Sequence, residues 1–120
     1  MDGGDDERFV AARSAGIRHV VKLSAAMVED PGADDAITRW QRSCEEVLRG
    51  SGLRWTFLRP RSFMSNTLSW AASVRAQRVV RALYATSRNA CVDPRDVAEV
   101  ASPALTGDGH EDRSHVLTGP

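Results

Sequence analysis

The sequence predicts an α/β domain in three layers, a short parallel sheet flanked by helices. Three observations predict it. Helix-like and strand-like segments alternate with short connections, the order that builds parallel sheets through right-handed crossovers. The segment IRHVVKLS at 17–24 is β-branched and nearly continuous rather than alternating, as strands covered on both faces are. From Ile37 onward, Trp40, Cys44, Val47 and Leu48 recur at intervals of three and four, the signature of a helix with one apolar face.

Taken in order, Asp5 or Asp6 can cap a first helix carrying Phe9, Val10 and Ala12, and Gly16 can end it. The strand 17–24 follows. VEDPGADD is turn chemistry, with Asp34 or Asp35 as the cap of the amphipathic helix, which Gly50 and Gly52 close. Leu53, Trp55, Phe57 and Leu58 then read as a strand that runs into Arg59-Pro60. A helix is expected over 66–77 with Leu68, Ala71, Ala72 and Val74 inward, and a strand over 79–85. Asp93-Pro94 is a strong helix start, with Val97, Val100, Ala101 and Leu105 on the inner face and Pro103 expected to kink or shorten it. Ser114 to Leu117 forms the last short strand.

Composition narrows the function classes. The chain has 120 residues, 42% hydrophobic and 27% charged, with a net charge of zero, so no global field draws it to nucleic acid or an acidic membrane. Arginine supplies fifteen of its sixteen basic residues, Lys22 being the exception. Phosphate or carboxylate binding would favour arginine, but so would codon bias. The acidic start and the absence of a long apolar run lead to the expectation of a cytoplasmic protein. Cys44 and Cys91 form no CxxC pattern, Cys44 reads as core, and His19, His110 and His115 lack ligand spacing, so no metal centre is expected.

Four segments then carry a resemblance: AARSAGIRHVVKLSA, RWQRSCEEVLRGSGLRWTFLRPRSFMSN, VDPRDVAEVASPALTG and HVLTGP. In this order, from about Arg8 to Pro120, they resemble the NmrA-like family of atypical short-chain dehydrogenase/reductases. The run SGLRWTFLRPRSFMSN is its specific part. The resemblance implies a Rossmann fold that binds NADP or NAD. Some members reduce quinones or other small carbonyl compounds, and others sense the cofactor without turnover. The glycine-rich turn that cradles the pyrophosphate is absent here, and so is the Tyr-xxx-Lys pair: Trp40-Gln41-Arg42-Ser43-Cys44 stands where it belongs. The chain is thus expected to form one partial domain over 1–120, without the glycine-rich half or the small substrate-covering lobe. It would be a natural truncation, an excised piece or one part of a split protein.

The ligand crevice of such a sheet lies beyond the carboxyl ends of its strands. There the resemblance implies cofactor-binding roles for Ser24, Pro60, Arg61, Ser62 and Phe63, and a substrate pocket touched by Phe63 and Met64. Each has a plainer alternative. Ser24 can make a local turn bond or a cap, Phe63 and Met64 can pack in the core, and Asn66 can cap the following helix. Asp93 and Asp96 read as a cap and a first-turn acid rather than as a catalytic pair. Arg75, Arg78 and Arg81 read as a solvated face or a phosphate-contacting stripe. No catalytic residue is assigned. The functional expectation is an NAD(P)-binding relative of oxidoreductases with little activity alone, or else a non-catalytic module that pairs through its sheet edge. In either case the strand 17–23, poorly protected by charge, calls for a second copy or a partner chain.

Overall fold

The computed structural model describes residues 4–83 and 86–120. Three parallel strands form one sheet in the order β1 (His19–Leu23), β2 (Arg54–Pro60), β3 (Arg113–Leu117). The register sets His19 opposite Arg54 and Leu23 opposite Leu58, then Thr56 opposite Arg113 and Pro60 opposite Leu117. Parallel neighbours require crossovers, and helices supply them. α1 (Gly4–Ser14) and α2 (Ala36–Gly50) pack together, and α2 lies on β2, while α4 (Pro94–Thr106) lies against β1 and β2. The α/β class and the parallel sheet expected from the alternation are therefore present.

Alternation along β2 divides its side chains between the two faces. Phe57 joins Leu48 and Leu53 in the main core, with Phe9, Ala12, Val20 and Trp55 packed around them. Trp55 stacks on Phe57 with ring centroids 4.3 Å apart. On the other face Leu58 is buried, as are Val97 and Ala104 of α4. Local signals set most boundaries. Gly16 takes a φ of 85° after α1, and Asp35 accepts from the Thr38 backbone N–H to cap α2. Asp93 accepts from the Arg95 N–H ahead of Pro94 in the first turn of α4.

The structure departs from the sequence-based expectations at five places. The strand expected over 79–85 does not form across 79–83, and Tyr84 and Ala85 lie outside the described residues. Val79 and Val80 have no neighbouring strand, and a β-prone run without one stays irregular. The helix expected over 66–77 is a 3₁₀ segment, Met64–Trp70, followed by a short α3, Ala71–Gln77, and none of its residues is buried. Asp5 and Asp6 lie inside the first turn of α1 rather than capping it. In α2, Ile37 and Trp40 are exposed, and the buried positions are Thr38, Cys44, Glu45 and Leu48. In α4, Ala104 is buried where Leu105 was expected, and the helix runs through Pro103 to Thr106, where the Gly107 N–H closes the last turn on the Pro103 carbonyl.

Among the described residues, no helix is long and apolar enough to cross a membrane.

Candidate functional site

The carboxyl ends of the three strands are tied together by backbone bonds. Ser24 N–H donates to the Leu58 carbonyl at 2.7 Å and Arg61 N–H to the Leu117 carbonyl at 2.9 Å, so the ladder continues past the strands. The loop after β2 is then clamped from the far side. Val92 donates to the Ser62 carbonyl and Met64 donates to the Val92 carbonyl, both at 2.9 Å, a parallel bridge centred on Phe63. Gly119 donates to the Ala90 carbonyl at 3.0 Å. A Cβ on Gly119 would stand 1.8 Å from the Cys91 carbonyl oxygen, so only glycine admits this approach.

A cleft of about 420 Å³ opens above these strand ends, within the usual range for small-molecule sites. It brings together Ser24, Pro60, Arg61, Ser62 and Phe63, all five singled out by sequence; Gln41, Asn66 and Asn89 also line it. Met64, the sixth, is outside that lining, its terminal methyl beside Gly119. Asn66 lines the cleft instead of capping: the cap position of the 3₁₀ segment is Phe63, with no side-chain hydrogen bond. Ser24 is no cap either, because the 3₁₀ turn Ala26–Glu29 begins from Ala25 without one. Ser24 is buried, and among the described residues its hydroxyl meets no partner in hydrogen-bond geometry. It nonetheless lies near enough to the Glu45 carboxylate to help keep that group ionised.

Beneath the cleft sits an ion pair that sequence reading missed. Arg59 grips Glu45 with two bonds, Nε to Oε1 at 3.0 Å and Nη2 to Oε2 at 2.7 Å. Its Nη1 reaches Glu29 at 2.9 Å and Ser114 Oγ at 3.2 Å, so one guanidinium joins α2, the 3₁₀ turn and β3. Burial pushes the Glu45 carboxyl up, but the hydrogen bonds from Arg59, the nearby Ser24 hydroxyl and the charges of Arg59 and Arg49 outweigh it, and the net shift is downward. The Glu45 bond raises Arg59 correspondingly. The available signal was a glutamate beside Cys44 on the core-facing side of α2, paired with an arginine inside an apolar strand. Arg42 does similar work nearby, donating to the Val28 carbonyl at 3.2 Å, to that of Ala33 at 2.7 Å and to that of Asp30, which pins the turn that carries Met27 to the cleft.

Toward the other end of the strands the three histidines gather, although their spacing predicted none of this. Thr56 Oγ1 donates to the His110 carbonyl at 2.6 Å and so accepts from His19 Nε2 at 2.7 Å, while His110 Nδ1 and His115 Nε2 lie 3.2 Å apart. Among the described residues no three metal-binding side chains converge.

A model of the NAD(P)H-binding family matches residues 7–108. The chain belongs to that family. A Streptomyces griseus relative, a (4-alkanoyl-5-oxo-2,5-dihydrofuran-3-yl)methyl phosphate reductase, is 61% identical over 117 residues, covering 97% of this chain and 42% of that protein. An NAD(P)H azoreductase from Xenophilus azovorans is 34% identical over 112 residues, with 93% of this chain and 39% of that one covered. An NADPH-dependent quinone oxidoreductase from Escherichia coli, solved with NADPH, superposes with a TM-score of 0.82 at 22% identity, over 96% of this chain and 40% of that one. The chain of this family member thus spans about two-fifths of the length of the curated relatives it matches.

The residues present fit one end of the family's cofactor. The Ser24 hydroxyl supplies a buried polar atom without a geometric partner, and Phe63 and Pro60 offer apolar surface for a flat ring. For the pyrophosphate end the sequence contains no glycine-rich turn.

Proposed function

We propose that this chain forms the nicotinamide-facing and substrate-facing part of an NAD(P)H-dependent reductase and turns over little or nothing by itself. The observation that carries this reading is the cleft, where a clamped loop holds Phe63 across from buried Ser24 at the carboxyl ends of parallel strands. Bound there, the cofactor would supply a hydride to an electron-poor carbon. Ser24 and the backbone of Arg61 to Phe63 would orient the nicotinamide, and the Phe63 ring would cover it and exclude water. Ser62, held by the Asn89 amide at 3.0 Å, would keep the loop from folding into the cleft. Among the described lining residues there is no tyrosine, histidine or carboxylate, so the accompanying proton comes from solvent in this reading. The 61% identical Streptomyces relative, named as a reductase of a phosphate-bearing dihydrofuranone, supports a small conjugated carbonyl compound as substrate.

A second reading, a non-catalytic module, is favoured by the open outer edge of β1, which pairs with no other strand among the described residues. The discriminating experiment joins this chain to the preceding portion of the Streptomyces relative and compares the chimera with the chain alone. NADPH should bind the chimera, and only weakly the isolated chain, whose sequence lacks charge-assisted pyrophosphate contacts worth roughly 1.5–3 kcal/mol each. A low-micromolar dissociation constant for the isolated chain would sink this. In the chimera, Phe63→Ala should weaken ligand binding about tenfold with little loss of stability. If it instead costs the ~3–5 kcal/mol of a core phenylalanine and leaves binding unchanged, Phe63 is packing and the module reading stands.

A further inference from the structure

A second cleft, of about 490 Å³, adjoins the first and is lined by Arg61, Arg88, Asn89, Ala90, Thr118 and Pro120. Arg61 and Asn89 line both clefts, so the two are neighbours. Among the described residues no Asp or Glu side chain lines the second one, and its Pro120 edge is the last residue of this sequence. Arg59 and Arg95 are each met by carboxylates, whereas Arg61 and Arg88 make no side-chain hydrogen bond or ion pair among the described residues. The backbone beneath them is fixed by the Arg61–Leu117 and Gly119–Ala90 bonds, and the Asn89 side chain by Ser62. Arg61, Arg88, Asn89 and Thr118 thus line one cleft over a fixed backbone at the carboxyl ends of β2 and β3.

We infer that this second cleft is a subsite for a phosphate monoester carried by the substrate, an inference that rests on the reductase reading above. Guanidinium presents paired N–H donors that match phosphate oxygens in a way lysine does not, and the Thr118 hydroxyl can donate to a third oxygen. The position suits a substrate whose phosphate hangs one methylene from the reducible carbon. With that carbon beside Phe63, Arg61 bridges the reacting end and the phosphate, and Arg88 closes on the phosphate from the far side. The cofactor carries phosphates too. They are separated from the nicotinamide by a ribose, and the strands of a longer sheet would add at the open edge of β1, across the sheet from Thr118 and Arg88. The substrate is therefore the source assigned.

The test has two arms. In the first, methyl phosphate is titrated into the 120-residue chain, its Pro120 carboxyl amidated so that no terminal charge enters the cleft, with the backbone and arginine side-chain resonances followed by NMR. Saturable shifts at Arg61, Arg88, Asn89 and Thr118 are expected, weakened about tenfold by Arg88→Ala, as loss of one charge-assisted contact implies. Shifts spread evenly over Arg75, Arg78, Arg81 and the other arginines, or none, overturn the subsite. In the second arm, the chimera is assayed with the phosphorylated dihydrofuranone and its dephosphorylated alcohol. Arg88→Ala should raise KM about tenfold for the phosphorylated substrate and leave KM for the alcohol and for NADPH unchanged. A rise confined to NADPH would mean a cofactor phosphate sits there and would overturn the assignment. A chimera that reduces neither compound removes the reductase reading, and the NMR arm then reports on the phosphate site alone.

Discussion

At the scale of single residues, the Arg59–Glu45 pair decides most. Both groups are almost wholly buried, with side chains 10% and 3% exposed, and the bidentate geometry returns what desolvation takes only while both partners stay. Glu45→Ala or Arg59→Ala should each cost about 3–5 kcal/mol because a charge is left buried and unpaired. The double replacement Glu45→Leu with Arg59→Met should cost less than either, since Glu29 is half exposed and can turn to water. Chemical denaturation of the three variants checks this, and strict additivity would refute the pairing. The same carboxylate sets an acid limit. Its folded pKa lies below the unfolded value, so its contribution is complete above the ordinary glutamate pKa of about 4.3 and is lost as pH falls from there through the folded value. Glu45→Gln should flatten the fall of the unfolding midpoint below that pH, and an unchanged acid slope would show that other groups control it.

Among the elements, β1 is the one with unfinished business. Arg18 C=O and Ser24 N–H both face β2, so alternation turns the backbone groups of His19, Val21 and Leu23 to the open side. Lys22, the charge on the strand itself, reaches only one end of that edge: its Nζ donates to the Leu23 carbonyl at 3.1 Å and to Gln41 Oε1 at 2.5 Å. Burial lowers its pKa despite the acidic groups around it. The edge along His19 and Val21 is thus without the charged cover usual for exposed strands. Hydrogen exchange should find the amides of His19, Val21 and Leu23 fast and those of Val20, Lys22 and Ser24 protected. Adding a chain that pairs with β1 should slow the first group. Protection of all six in a dilute monomer would mean that some segment already covers the edge.

For the whole molecule, the surface is too large for a self-sufficient domain. The chain exposes 8497 Å², where a compact monomer of its mass exposes about 6,400 Å². Its radius of gyration is 16.9 Å against roughly 13–14 Å for a compact chain of this length. The excess, about 2,000 Å² on this chain alone, is more than the roughly 800 Å² that each partner buries in a standard protein–protein interface. It is apolar in two places: Leu23, Met27, Ile37 and Trp40 near β1 and α2, and Leu68, Trp70, Val74 and Leu83 along and beyond the 3₁₀ segment and α3. Exposed apolar area of that kind marks an interaction surface. Sedimentation at micromolar concentration should show association with itself or with a supplied half-domain. A lone species whose scattering radius is near 13–14 Å would contradict the argument.

Residue order by itself determined the α/β class, the parallel sheet, the cap at Asp93, the narrowing of the α2 cap to Asp34 or Asp35, and a crevice at the strand ends. These follow from local chemistry: helix and strand periods, cap side chains, and the rule that a parallel sheet opens its crevice at the strand ends. The five cleft residues from Ser24 to Phe63 came as a set from the family resemblance, which also added NAD(P)H, a cofactor that no spacing in the chain could have supplied. Tertiary structure alone decided the rest. Glu45 meets Arg59 across fourteen residues of sequence, Thr56 gathers the three histidines, and Val79 to Leu83 stay irregular where their composition favours a strand. Each outcome depends on a neighbour brought from elsewhere in the chain, or on the lack of one. Burial, ion pairing and strand pairing are properties of neighbours in space, and a pattern read along the chain does not contain them.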